Sequence, residues 1–205
     1  MIRTRLDRPD EIGFSPTADT LEEIGNVFLL AAASGYPASI ETAASAIVDA
    51  FAAHRKLLVF GNGGSAADAQ HLCGEIVVRF RSNRQALPAV ALSSDAAVMT
   101  ACGNDFSFER IFARQIEALG TPGDVALGIS TSGSSPNIVA AMKTARERAL
   151  TTILLTGPSY GRARDYSDWV LAAPGANTAR IQELHLATYH IICETIDARF
   201  SRRAE

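Results

Sequence analysis

Long apolar runs are missing from this 205-residue sequence; none approaches the ~20 residues that a membrane span requires. The amino-terminal stretch, MIRTRLDRPDEIGFSP, is charged and has no apolar core of the kind a secretory signal carries. Both absences point to a cytoplasmic protein with no membrane partner. Lysine occurs only twice, as Lys56 and Lys143, and 19 basic residues stand against 22 acidic ones, a net charge of −3. Nucleic-acid binding needs a basic stripe or patch, so that class of partner is disfavoured. Cysteine is scarce too. Cys73, Cys102 and Cys193 lie far apart with no CxxC pair, which argues against a disulfide framework or zinc ribbon and reads as reduced core thiols.

What remains is globular: 47% of residues are apolar and 20% charged, too apolar a mixture for disorder. At ~150 residues per domain the length fits one domain with an appended helical arm. No repeat, low-complexity tract or long linker interrupts it. Residues 17–55 read as two helices, the first with Thr20 as cap and Glu23 completing a capping box, and Gly35-Tyr36-Pro37 punctuates between them. Short apolar runs then recur at Leu57–Phe60, Pro88–Leu92, Val125–Ile129, Thr152–Leu155 and Trp169–Ala172. Helix-length segments at 64–80, 106–119, 134–149 and 178–200 separate or follow most of them. Strands apolar on both sides belong to a parallel sheet covered by helices on both faces. The pattern is that of a doubly wound α/β domain, in which ligands bind beyond the carboxyl ends of the strands. The order of the strands cannot be read from it.

The unusual residues fall at those ends. Gly61-Asn62-Gly63-Gly64-Ser65-Ala66 lets the backbone approach a ligand and opens a helix whose N–H groups are free. Taken loosely it is a GxGxxA dinucleotide fingerprint, but the acidic partner expected about 20 residues on is represented only by Asp95, further away. An ordinary tight turn has the same glycines. Ser130-Thr131-Ser132-Gly133-Ser134-Ser135-Pro136-Asn137 leaves a strand and enters a helix, with Ser135 suited to the N-cap and Pro136 to the first helical position. Hydroxyls beside helix-terminal N–H groups make a cradle for a phosphate monoester. A serine-rich cap is the plainer alternative. The chain contains no GK[ST], so a nucleoside triphosphate is not the expected ligand.

Three of the four histidines lie on two predicted helices. His71 and Glu75 are spaced i,i+4 on one helix face, where they can hold a divalent metal, act as base and acid, or simply form a surface ion pair. The last helix carries Gln182, His185 and His190. His54 reads as a surface residue, and Asn104-Asp105 as either a helix end or a contact for substrate hydroxyls.

Taken together, GNGGSAADAQH, ALPAVAL, GND, GDVALGISTSGSSPN and TARIQELH with a second histidine beyond it resemble the sugar isomerase (SIS) domain family. Within that family they are similar to the bacterial sedoheptulose 7-phosphate isomerases, over residues 17–198. The resemblance implies a single SIS domain over 1–205, flavodoxin-like, with a five-stranded parallel sheet and the N-terminal helices of 17–55 used in oligomerisation. It implies a homotetramer whose active sites are lined by neighbouring subunits. The implied reaction converts sedoheptulose 7-phosphate to D-glycero-D-manno-heptose 7-phosphate, feeding lipopolysaccharide or other heptose pathways. Carried onto this sequence, one zinc per subunit falls to His71, Glu75, Gln182 and His190. The phosphate falls to Ser130, Thr131, Ser132 and Ser135. The sugar falls to Asn62, Gly63, Gly64, Ser65, Asn104, Asp105 and Gln182. Glu75 corresponds to the general base and His190 to the general acid.

Ketose–aldose isomerisation needs a base at carbon, an acid at oxygen and a means of stabilising an enediolate, which Glu75, His190 and zinc would supply. Zinc binding also requires neutral His71 and His190, so affinity should fall at low pH. Two residues sit awkwardly. Gln182 and His190 are eight apart, about 12 Å along a helix, so one ion takes both only if the helix is irregular or another subunit contributes. Ser134 stands where relatives usually have asparagine, a small polar exchange. The competing reading is a non-catalytic SIS-type module that binds a sugar phosphate or regulates replication initiation. Ser132 and His190 favour the isomerase, because that paralogue departs at both positions.

Overall fold

A computed structural model describes residues 16–201; the charged amino-terminal stretch lies outside them except for its last residue, Pro16. Five strands, β1 (Leu57–Gly61), β2 (Ala89–Ala91), β3 (Val125–Ser130), β4 (Thr151–Thr156) and β5 (Trp169–Ala172), form one sheet in the order β2-β1-β3-β4-β5, every pair parallel. All fall within a residue or so of the apolar runs. Alternation along each strand divides the core in two. Leu57, Val59, Leu127 and Leu155 face one side, with helices α2 (Tyr36–Ala52), α3 (Gly64–Val77) and α7 (Thr178–Phe200). Leu58, Phe60, Ala126 and Leu154 face the other, with α5 (Ile111–Leu119) and α6 (Pro136–Glu147). The doubly wound expectation holds. The chain reverses its order of travel at β1, so the loops after β1 and β3 open side by side at a topological switch point.

The helices depart further from the sequence pattern than the strands do. The first, α1 (Pro16–Ala32), already includes Thr20, whose hydroxyl donates to Pro16 O at 2.7 Å instead of capping the helix. The expected helix at 106–119 is a 3-10 turn at Phe108–Arg110 followed by α5. An unanticipated helix, α4 (Ala96–Asp105), precedes it, with Asp95 as N-cap accepting from Val98 N at 3.0 Å. The one carboxylate weighed as a nucleotide ligand thus has a local structural task. Ser135 takes the N-cap position of α6 and Pro136 its first turn, but the Ser135 hydroxyl makes no cap bond. None of the described helices is long and apolar enough to cross a membrane.

Candidate active site

The loop after β1 enters α3 through Gly63, whose φ of 56° is open to glycine at little cost. Gly64 follows. A Cβ there would lie 2.6 Å from Nε2 of Gln182, so the loop and the start of α7 are in close contact. Asn62 and Asn137 exchange two amide hydrogen bonds, of 2.9 and 2.8 Å, which tie this loop to the first turn of α6. In the loop after β3, Ser130 Oγ accepts from Gly133 N at 3.1 Å and Ser132 Oγ from Ser134 N at 3.2 Å. Gly133 has φ 62°, and any Cβ would run into the Tyr160 carbonyl, so this loop and the one after β4 are stacked backbone to backbone. Among the described residues the Thr131 and Ser135 hydroxyls have no hydrogen-bond partner; Thr131 opens the loop after β3 and Ser135 is the N-cap of α6. The strand–loop–helix design therefore brings Asn62, Gly63, Gly64, Ser65, Ser130, Thr131, Ser132, Ser135 and Gln182 to one edge of the sheet.

A second group lies down the α3–α7 seam. His71 Nε2 is 3.2 Å from Glu75 Oε1, with both side chains partly exposed. The His190 ring stands edge-on to His71 at a centroid distance of 5.2 Å and lies over Phe80 at the same distance. Its Nε2 is buried and has no hydrogen-bond partner among the described residues. Tyr189 and Asp68, which the sequence reading passed over, complete the group, with the Tyr189 hydroxyl 2.9 Å from His71 Nδ1. Burial raises the pKa of Asp68, with the Tyr189 hydroxyl and His71 opposing it, and raises that of Tyr189, with Asp68 adding to it. A signal for Asp68 was available, since Asp68, His71 and Glu75 fall at i, i+3 and i+7 on one helical stripe.

Two imidazoles and a carboxylate are donors of the type zinc takes, and the orphaned His190 nitrogen is free to serve. The residues fit such an ion in kind. Among the described residues no three His, Cys, Asp or Glu side chains form a preformed metal cluster. Within one chain Gln182 does not join them: α7 is unbroken, and the eight-residue step from Gln182 to His190 keeps them about 12 Å apart along it.

The seam is anchored at its base. Arg84, whose side chain is fully buried, donates to the carbonyls of Glu75, Ile76 and Gln85 at 2.8, 2.8 and 3.0 Å and to Asp197 Oδ1 of α7 at 2.9 Å. Asp197 Oδ2 accepts from the backbone N–H groups of Arg81 and Ser82. The final turn of α3, which carries Glu75, is thereby fixed to α7.

The remaining expectations sort simply. Asn104 and Asp105 are exposed at the end of α4 and bond each other at 2.7 Å; among the described residues no hydrogen bond joins them to the other candidates. His54 is exposed. Cys73 and Cys193 are buried thiols whose pKa burial pushes up to about 12, which leaves them inert. His185 is buried within the core with Nε2 3.1 Å from Thr156 O, and burial lowers its pKa to about 4 against the opposing pull of that carbonyl. A histidine kept neutral in the fold but free to charge when unfolded stabilises the fold fully above about pH 6.5, and that contribution drains away as the pH falls toward 4. The expected loss is on the order of 3 kcal/mol. Urea melts between pH 7 and 4 should show it, and His185→Gln should flatten the slope; a slope unchanged in the variant would refute the assignment.

With this geometry established, comparison with known proteins gives the class. A family model described as the SIS domain matches residues 26–157. The chain belongs to the SIS domain family. Within that family its similarity is to phosphoheptose isomerases. It is 54% identical to the phosphoheptose isomerase of Paramagnetospirillum magneticum over 153 residues, 75% of this chain and 80% of that one. The solved phosphoheptose isomerase from Neisseria gonorrhoeae aligns with TM-score 0.83 and 38% identity, covering 89% of this chain and 97% of that one. That from Francisella tularensis aligns with TM-score 0.86 and 37% identity, covering 89% and 96%.

Proposed function

We propose that this chain is a phosphoheptose isomerase, converting sedoheptulose 7-phosphate to D-glycero-D-manno-heptose 7-phosphate in the cytoplasm. The observation that carries the reading is the convergence of His71, Glu75 and the unpartnered buried Nε2 of His190 on one seam of the fold. The 54% identity to a phosphoheptose isomerase supports it. The free Thr131 and Ser135 hydroxyls, the Ser130–Ser132 loop and the N-terminus of α6 receive the phosphate. Asn62, Gly63, Gly64, Ser65, Asn104, Asp105 and Gln182 line the sugar. Glu75 takes a proton from C1 of the ketose while His190 gives one to the C2 oxygen, leaving an enediol. Return of a proton to C2 and loss of one from the C1 hydroxyl complete the aldose. Zinc, held by His71, Glu75 and His190 with Gln182, would supply Lewis-acid stabilisation of the enediolate oxygens.

The spacing supports sites shared between subunits. His71 and Glu75 lie about 10 and 16 Å along α3 from Gly64, and Gln182 is similarly remote from His190. Neighbouring chains of a homotetramer would close those gaps. Exposed Leu21, Phe28, Leu29 and Leu30 on α1, with Leu186 and Ile191 on α7, offer apolar surface for that contact. The test is incubation of the purified, zinc-supplemented protein with sedoheptulose 7-phosphate, following the aldose. Turnover is expected. A folded, zinc-loaded protein that leaves the ketose unchanged overturns the reading and leaves a sugar-phosphate-binding module.

A further inference from the structure

Tyr189 is wholly buried, yet its hydroxyl is not spent within α7. It crosses to α3, standing 2.9 Å from His71 Nδ1 and donating to Asp68 Oδ1 at 3.4 Å. The polarity of this chain follows from the inventory of donors. When Nε2 gives its lone pair to a cation, the one proton of a neutral imidazole sits on Nδ1 and is donated to the tyrosine oxygen, whose own proton goes to Asp68. The proton of His71 then resides on Nδ1, and Nε2 is the nitrogen turned toward Glu75, 3.2 Å away. The Tyr189 ring also stands edge-on to both imidazoles, at centroid distances of 5.4 Å from His71 and 5.0 Å from His190. One side chain thus touches both histidines.

We propose that Tyr189, backed by Asp68, is a positioning residue for His71: it holds the proton on Nδ1, fixes the ring, and presents Nε2 toward Glu75 and His190 as the nitrogen that takes a cation. The inference rests on His71 being a zinc donor, as read above. Imidazole ligands commonly donate their second N–H to an acceptor, and losing that acceptor weakens metal binding 10- to 100-fold. Here the acceptor is a tyrosine oxygen, itself oriented by a carboxylate. A tyrosine that served packing alone would be replaced by phenylalanine without consequence for the imidazole.

Tyr189→Phe keeps the ring and deletes the hydroxyl. Zinc affinity is measured by competition with a chromophoric chelator. The Nδ1 proton of His71 is followed by NMR in zinc-loaded, 15N-histidine-labelled protein. The expected result is zinc binding about 10- to 100-fold weaker than wild type, with the Nδ1–H signal, protected in wild type, lost to solvent exchange. Asp68→Asn, at a half-buried position on α3, should weaken both in the same sense but less, and it serves if Tyr189→Phe does not fold. Wild-type zinc affinity together with an unchanged Nδ1–H signal in a folded variant overturns the proposal. If the wild-type protein itself binds no zinc, the metal reading fails. The proposal that His71 presents Nε2 to a cation is then overturned with it.

Discussion

Glu75→Gln leaves a folded protein that binds the sugar phosphate and isomerises it about 100- to 10,000-fold more slowly, the range a positioned acid–base group supplies. Glutamine has the same shape and still reaches His71, whose Nε2 lies 3.2 Å from the carboxylate oxygen it replaces. What it lacks is a site for the abstracted proton. The loss therefore falls on kcat, and KM moves little, because the hydroxyl loop at the head of α6 is untouched. Zinc content should be measured beside the rates, since Glu75 is also a proposed donor. A variant that keeps full zinc and turns over within a few-fold of wild type would remove Glu75 from the role of base.

Arg84→Met is expected to cost about 3–5 kcal/mol, the penalty for stranding one member of a buried ion pair. The guanidinium satisfies three backbone carbonyls and Asp197 while its side chain has no solvent exposure. Methionine fills the volume and restores none of those bonds. For a chain of this size the melting temperature should fall by roughly 6–20 °C. Asp197→Asn should cost less, because an amide oxygen can still accept from Arg81 N and Ser82 N. A denaturation midpoint for Arg84→Met close to wild type would show that the seam is held by packing alone.

The strands were legible because burial on both faces leaves a run of apolar residues that nothing else explains. Their order was not, since Leu57–Phe60 and Thr152–Leu155 are equally apolar and carry no mark of their neighbours. Helix α4 escaped notice for a physical reason: Cys102 is its one buried residue, so AAVMTACGND shows no apolar stripe. Asp95, too distant in sequence to complete a dinucleotide fingerprint, caps this helix instead. In the site, everything local could be read, including the glycines of the first loop, the hydroxyls of the second, and the pairing of His71 with Glu75. Contacts between distant segments could not. Asn62 meets Asn137, Tyr189 meets His71, and Arg84 meets Asp197 across separations of 75 to 118 residues. No periodicity reports such pairs, and only the α3–α7 packing brings two of them together.

The doubled amide bond between Asn62 and Asn137 has a consequence for how a ligand is met. Each side chain already has its donor and its acceptor engaged by the other, so the mouth between the two loops is closed as a ring before anything arrives. The entropy of ordering that mouth is lost when the chain folds and not when the ligand lands. Backbone amides of Asn62 and Asn137 should then exchange with deuterium at nearly the same rate in the free and ligand-saturated protein.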